Sequence, residues 1–239
     1  MPRTGRIYTR PKKVARTGPT GLQPLPVGGQ RDSYLYVPPA HSAENPSALV
    51  LLLHGSGGHA HHGLDILQGL ADAANLILVA PASASYTWDV IIGRWGRDVK
   101  LINQALEHVF ASYAIDPSLV AIGGFSDGAS YALSLGLTNG DLFTHVIAFS
   151  PGTVAPVVRR GAPKIFISHG IRDEILPVST CGRRIVEELR ESGLDVEYRE
   201  FDAGHRIPPD IALAAVSWFT GRALRREAGP QTSSTSMRA

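Results

Sequence analysis

Apolar residues along this chain fall into short continuous runs separated by longer amphipathic stretches. Ser33–Val37 (SYLYV), Ala48–Leu53 (ALVLLL), Leu76–Val79, Leu119–Phe125, His145–Phe149, Lys164–Ser168 and Val196–Phe201 each read as a strand. Ala48–Leu53 has no polar position at all, as expected of a strand covered on both faces of a parallel sheet. Between the runs, the apolar period lengthens to that of a helix. Val99, Ile102, Leu106, Val109, Phe110 and Tyr113 share one helical face, with Asp98 in the cap or first turn. Leu64–Ala74, Ser126–Leu137, Pro177–Ser192 and Pro209–Leu224 complete the helices. Strands alternating with helices predict an α/β fold, a mostly parallel sheet with helices on both faces. Residues 82–97 show no period and contain Trp88 and Trp95.

The segments outside this pattern set the domain boundaries. Residues 1–32 are rich in Pro, Gly, Arg and Thr and predict an extended basic arm, solvated or partly disordered. Residues 33–224 form the α/β domain, and the polar residues 225–239 a disordered tail. Residues 1–31 hold seven of the 23 Lys and Arg and none of the 21 Asp and Glu. The remainder therefore holds 16 cations against 21 anions, and a mildly acidic body argues against nucleic acid as a partner. No apolar run reaches the roughly 18–20 residues of a membrane span, and none follows the basic start as a secretory leader requires. The lone Cys181 excludes an internal disulfide and suits a reducing cytoplasm.

Chemistry concentrates at Gly124-Phe125-Ser126-Asp127-Gly128. The pattern G-x-S-x-G stands where an apolar strand runs into a helix, so the serine is thrust clear on a tight turn that needs small neighbours. A serine nucleophile needs a base and an orienting acid. His205 follows the last strand, and Asp173 follows the strand Lys164–Ser168, giving the chain order Ser126, Asp173, His205. Glu174 is the alternative acid and His169 a rival base, whereas Asp202 stands too near His205 in sequence to orient it. The turn His54-Gly55-Ser56-Gly57-Gly58 follows a buried strand and exposes N–H groups. That of Ser56, with that of Asp127, can bind an oxyanion. His54 reads as a brace for its own turn. His59, His61 and His62 have no carboxylate or cysteine at ligand spacing, so neither a metal nor a cofactor is expected.

Strand–HGxGG, TWD, GFSDGA, HGxxDxxxPV and GH, in this order over about residues 33–221, resemble the α/β-hydrolase esterases. The nearest groups are dienelactone hydrolase, phospholipase/carboxylesterase and polyhydroxybutyrate-depolymerase-like proteins. The resemblance implies Ser126 as nucleophile, Asp173 as acid, His205 as base, and oxyanion donors at Ser56 and Asp127. Two features depart from it. Asp127-Gly128-Ala129 stands where many phospholipase/carboxylesterase members carry Gln-Gly-Gly, and serine replaces the cysteine of dienelactone hydrolases.

The function expected is hydrolysis of small carboxylic esters with short to medium acyl chains. Thioesterase or lysophospholipase-type activity with the same triad is the alternative, and a non-catalytic binding protein the remote one. Only about 14 residues separate the strands at His145–Phe149 and Lys164–Ser168, too few for a helical cap. An open cleft follows, walled by the HGSGGH turn, residues 83–97 and residues 150–160, with Trp88 and Trp95 as candidate substrate contacts or as anchors of their loop.

Overall fold

The computed structural model describes residues 5–91, 95–156 and 158–224; the tail expected from Arg225 onward lies outside them. Eight strands form one sheet: β1 (Gly21–Pro24), β2 (Tyr34–Val37), β3 (Ser47–Leu53), β4 (Leu76–Ala80), β5 (Ile115–Phe125), β6 (His145–Phe149), β7 (Lys164–Gly170) and β8 (Val196–Phe201). Their spatial order is β1-β2-β4-β3-β5-β6-β7-β8. The pairings β1–β2 and β2–β4 are antiparallel, and all others are parallel. The helices are α1 (Ala60–Leu64), α2 (Ala71–Ala74), α3 (Arg97–Ser112), α4 (Asp127–Thr138), α5 (Arg184–Glu191) and α6 (Pro209–Thr220).

The continuous apolar strands bury both faces. Leu49, Leu51 and Leu53 of β3 face a core shared with α3, α4 and α5. Val50 and Leu52 face the opposite core, with α6 and the segment from Ala60 to Ala74. Registry then lines up the carboxyl ends of the central strands: Leu53 stands opposite Gly124, and Phe125 opposite Phe149. Every loop carrying a candidate site residue therefore leaves the same sheet edge, where α/β proteins bind ligands.

Three elements differ from expectation. The helix expected over Leu64–Ala74 is split into α1, a 3₁₀ turn at Gln68–Leu70 and α2. Gly63 and Gly69 weaken a continuous helix, and Gly63 lies so close to β3 that a Cβ would sit 2.9 Å from the Leu52 carbonyl oxygen. The helix expected over Pro177–Ser192 begins as a π turn at Ser179–Arg183, where Gly182 presses on His169. Finally, α6 stops at Thr220 because Gly221 takes the left-handed conformation (φ 66°) that closes helices.

The basic segment is extended as expected, with Lys12, Lys13 and Arg16 exposed, but part of it is seated on the α/β body. Residues 21–24 add strand β1 to the sheet. Ile7 is fully buried, and its N–H donates to Asn139 Oδ1 at 2.8 Å. Asn139 Nδ2 returns a bond to the Gly5 carbonyl at 2.8 Å. Arg6 and Arg10 both pair with Asp141. The Arg6 guanidinium hydrogen-bonded to Asp141 holds that carboxyl well below the usual range. Cationic sequence read as solvated because its acceptor lies more than 130 residues away. Ile7→Ala should lower unfolding free energy by about 2–5 kcal/mol, the usual cost of emptying a buried isoleucine site. Urea titration checks this, and a loss under about 0.5 kcal/mol would show the segment dispensable for the fold.

Candidate active site

Ser126 sits between β5 and α4 with φ 57° and ψ −121°. A side chain in that backbone region carries strain of about 1–3 kcal/mol, held by its surroundings. The surroundings are tight. A Cβ on Gly128 would fall 2.2 Å from the Leu53 carbonyl oxygen, and one on Gly124 would fall 2.6 Å from that same atom. Both glycines of the motif are therefore required by the approach of the turn to β3. The Ser126 N–H donates to the Phe149 carbonyl at 3.0 Å, fixing the turn to β6 as well.

His205 and Asp173 meet across their loops. His205 Nδ1 donates to Asp173 Oδ2 at 2.6 Å. The second oxygen of Asp173 accepts the N–H groups of Leu176 (2.8 Å) and Ile175 (3.0 Å). Burial would raise this carboxyl, but the Leu176 N–H, the His205 bond and the Ile175 N–H outweigh it and hold Asp173 below its ordinary value. His169 is not placed as a base. Its Nε2 donates to the Leu176 carbonyl at 2.7 Å, and burial lowers its pKa. His205 packs at a tilt of 38° against Phe125, the neighbour of Ser126, with ring centroids 4.6 Å apart. Among the described residues no hydrogen bond joins Ser126 to His205; such bonds commonly tighten only when substrate binds.

The glycine-rich turn lies against the serine: a Cβ on Gly55 would stand 3.4 Å from that of Ser126. The Gly57 N–H donates to Tyr86 O (2.9 Å) and the Gly58 N–H to Gly55 O (3.0 Å). Among the described hydrogen bonds, those of Ser56 and Asp127 serve no acceptor, as oxyanion donors require. His54 braces this turn. Its Nδ1 donates to Gly55 O at 2.7 Å and its Nε2 accepts the Ser83 N–H at 3.0 Å. Burial lowers its pKa to about 4, so the ring is neutral.

Both tryptophans pack against Tyr131, as anchors of their loop would. Trp88 is fully buried, donates from Nε1 to His54 O at 2.8 Å, and stacks on Tyr131. Trp95 stacks on the same tyrosine and covers Gly5. The buried Trp88 and the partly buried Trp95 hold the described residues of this loop against α4. The cleft walls change accordingly. A cleft of about 540 Å³ runs past Gly55, Phe125 and His205 between Ile66–Leu70 and Ile207–Leu213. No described residue of 83–97 or 150–160 lines it. The missed wall is the stretch where the first expected helix breaks, which leaves Ile66, Leu67 and Leu70 facing the cleft. Ser150–Pro163 forms no helix among the described residues, and no cap covers the site.

A family model described as phospholipase/carboxylesterase matches residues 97–221, more than half of the chain. The chain belongs to that family. The phospholipase/carboxylesterase match takes in Ser126, Asp173 and His205 but not the turn at His54–Gly58. Among relatives, a protein of Aspergillus oryzae named "Probable feruloyl esterase C" is 30% identical over 176 residues, which is 68% of this chain and 64% of that protein. Its namesake from Aspergillus niger is 29% identical over 155 residues, or 62% of this chain and 56% of that protein. The chain thus spans less than two thirds of the length of these curated relatives. Among solved structures, the Bacillus cereus carboxylesterase shares 17% identity with a TM-score of 0.62, covering 81% of this chain and 95% of its own. The S-formylglutathione hydrolase of Staphylococcus aureus shares 14% identity with a TM-score of 0.67, covering 84% and 100%. These two likenesses show the α/β-hydrolase fold.

Within this phospholipase/carboxylesterase chain, two side chains missed as site elements shape the serine's surroundings. Thr87 Oγ1 donates to Asp127 Oδ2 at 2.6 Å. Asp98, expected as a helix cap, is buried and accepts the N–H groups of Ala84 and Asp89, each at 2.7 Å. Burial pushes its carboxyl up to about 6; the Ala84 N–H opposes this, and the charge of Asp89 adds to it. Unfolded, the same group titrates near about 3.9. The folded state thus holds the proton more tightly. Its contribution to stability is full below about pH 4 and lost as pH rises through about 6. Asp98→Asn should therefore gain stability relative to the parent as pH rises from about 4 to 7. Urea unfolding across that window tests it, and a constant offset between the proteins would contradict the assignment.

Proposed function

We propose that this chain is a carboxylic-ester hydrolase acting through an acyl-enzyme on Ser126. The observation that carries the reading is the 2.6 Å bond from His205 Nδ1 to Asp173 Oδ2, at the sheet edge where Ser126 is held in its strained turn. Asp173 fixes the tautomer that leaves His205 Nε2 free to accept a proton. Nε2 takes the proton of Ser126 Oγ as the oxygen attacks the ester carbonyl. The N–H groups of Ser56 and Asp127 receive the resulting oxyanion, each such donor being worth about 3–4 kcal/mol in the transition state. Collapse expels the alcohol, which takes the proton from His205. Water, deprotonated by the same nitrogen, then attacks the acyl-enzyme and releases the acid.

The cleft supports a small ester as substrate. Ile66, Leu67, Leu70, Ile207 and Leu213 present aliphatic walls suited to an acyl chain of short to medium length or to an aromatic acid. The names of the Aspergillus relatives support the aromatic option. No described helix is long and apolar enough to cross a membrane. With one cysteine, buried, the chain suits the reducing cytoplasm.

Ser126→Ala should lower hydrolysis of p-nitrophenyl butyrate by about 10³-fold or more while the protein stays folded. A fluorophosphonate should label the parent but not the variant. Activity within tenfold of the parent would remove Ser126 from the role. Asp173→Asn should be severely impaired and Glu174→Gln mildly, and the reverse ranking would move the acid to Glu174. Across p-nitrophenyl esters of rising chain length, rate should peak at short or medium acyl groups, with no jump at emulsion formation. A maximum confined to emulsified long chains would contradict an uncapped cleft, and faster cleavage of matched thioesters would turn the reading to a thioesterase.

A further inference from the structure

Two loops meet at the oxyanion donors, and one cation from the basic segment holds both. Arg31 lies between β1 and β2, far in sequence from either loop. Its Nη2 donates to the Gly58 carbonyl, the last residue of the turn that carries Ser56. Its Nη1 donates to Ser85 O at 2.9 Å and Ser83 Oγ at 3.1 Å. Segment 83–88 in turn grips the site at four further points. The Ser83 N–H reaches His54 Nε2, Tyr86 O accepts from Gly57, Trp88 Nε1 reaches His54 O, and Thr87 reaches Asp127. Segment 83–88 is thus a splint between the two proposed donors, and Arg31 ties its start to the far end of the glycine turn.

We propose that Arg31 is a positioning residue that sets the Ser56 N–H for the oxyanion. The inference rests on the hydrolase reading above. Arg31 makes no described contact with Ser126, His205 or the cleft, so it acts through the turn. Gly57 has φ 68°, and the turn has no side chain of its own that could stiffen it except His54. Arginine suits this place because its fork reaches acceptors on two loops from one rigid plane. A lysine carries a single point donor group and cannot span them. The charge itself is secondary, since all three acceptors at these distances are neutral oxygens.

The test compares the parent with Arg31→Met and Arg31→Lys, using p-nitrophenyl butyrate kinetics and inhibition by an alkyl trifluoromethyl ketone. Attack by Ser126 on that ketone places an oxyanion where the transition state would. Misplacing one donor costs on the order of 10²-fold. Arg31→Met should lose about 10–100-fold in kcat with KM within about twofold, and the ketone should bind weaker by the same factor. Arg31→Lys should recover only a minor part of the loss. Turnover within twofold of the parent in Arg31→Met overturns the proposal. So does a loss in which KM rises while ketone affinity holds, since that marks a damaged cleft and not a displaced donor. If Arg31→Met does not fold, Arg31→Lys decides: parental kcat overturns the proposal, and reduced kcat at unchanged KM upholds it. A parent that neither hydrolyses the ester nor accepts a fluorophosphonate defeats the hydrolase reading itself, an outcome distinct from all of these.

Discussion

The carbonyl oxygens at the end of β3 stand within van der Waals reach of the first turn of α4, and the rest of the site depends on that approach. Only a residue without a Cβ fits at Gly124 and Gly128. Once they fit, the backbone at Ser126 is forced into a region that side chains rarely occupy. The same approach sets Gly55 against the serine, because the turn at His54–Gly58 continues directly from β3. One steric contact thus sets the conformation of Ser126, leaves the amide of Asp127 at a helix start, and brings the glycine-rich turn alongside.

Electrostatics around this contact are arranged by burial of neutral or paired groups. His54 is kept uncharged, so it can bond its own turn without competing for the oxyanion. Asp173 keeps its charge because two backbone amides and a histidine offset the cost of burying it. The two carboxylates Asp89 and Asp98 lie behind the splint, each capturing backbone N–H groups of the loop 84–98. The described residues between β4 and α3 are thereby given fixed hydrogen bonds, which is what a preorganised site requires of its support.

What could be read from the sequence follows the range of the interactions. β3, the elbow and the order Ser126, Asp173, His205 were legible because strand, turn and helix are local patterns, and the fold fixes which loops share an edge. Asp173 was preferred to Glu174 for its place after β7, and the structure sets its Oδ2 2.6 Å from His205 Nδ1. The tryptophans were visible as an anomaly of the irregular loop, but whether they faced in or out depended on Tyr131, which lies on α4. The cleft wall was missed because a helical period continues past Leu64 and through Gly69 although the α-helix does not. Arg31 and the pairing of Arg6 with Asp141 had no local trace. A cation in a Pro- and Gly-rich stretch reads the same whether its partner is water or a carbonyl from another loop.

The docking of Gly5–Ile7 on Asn139 has a consequence for how the chain is made. The amide side chain that receives Ile7 is 132 residues downstream of it. At a synthesis rate of about 5–20 residues per second, residues 5–10 leave the ribosome on the order of 10 s before their receptor exists. During that interval Ile7 is an exposed hydrophobe flanked by arginines with no acidic partner. The segment is therefore made well before the residue that seats it.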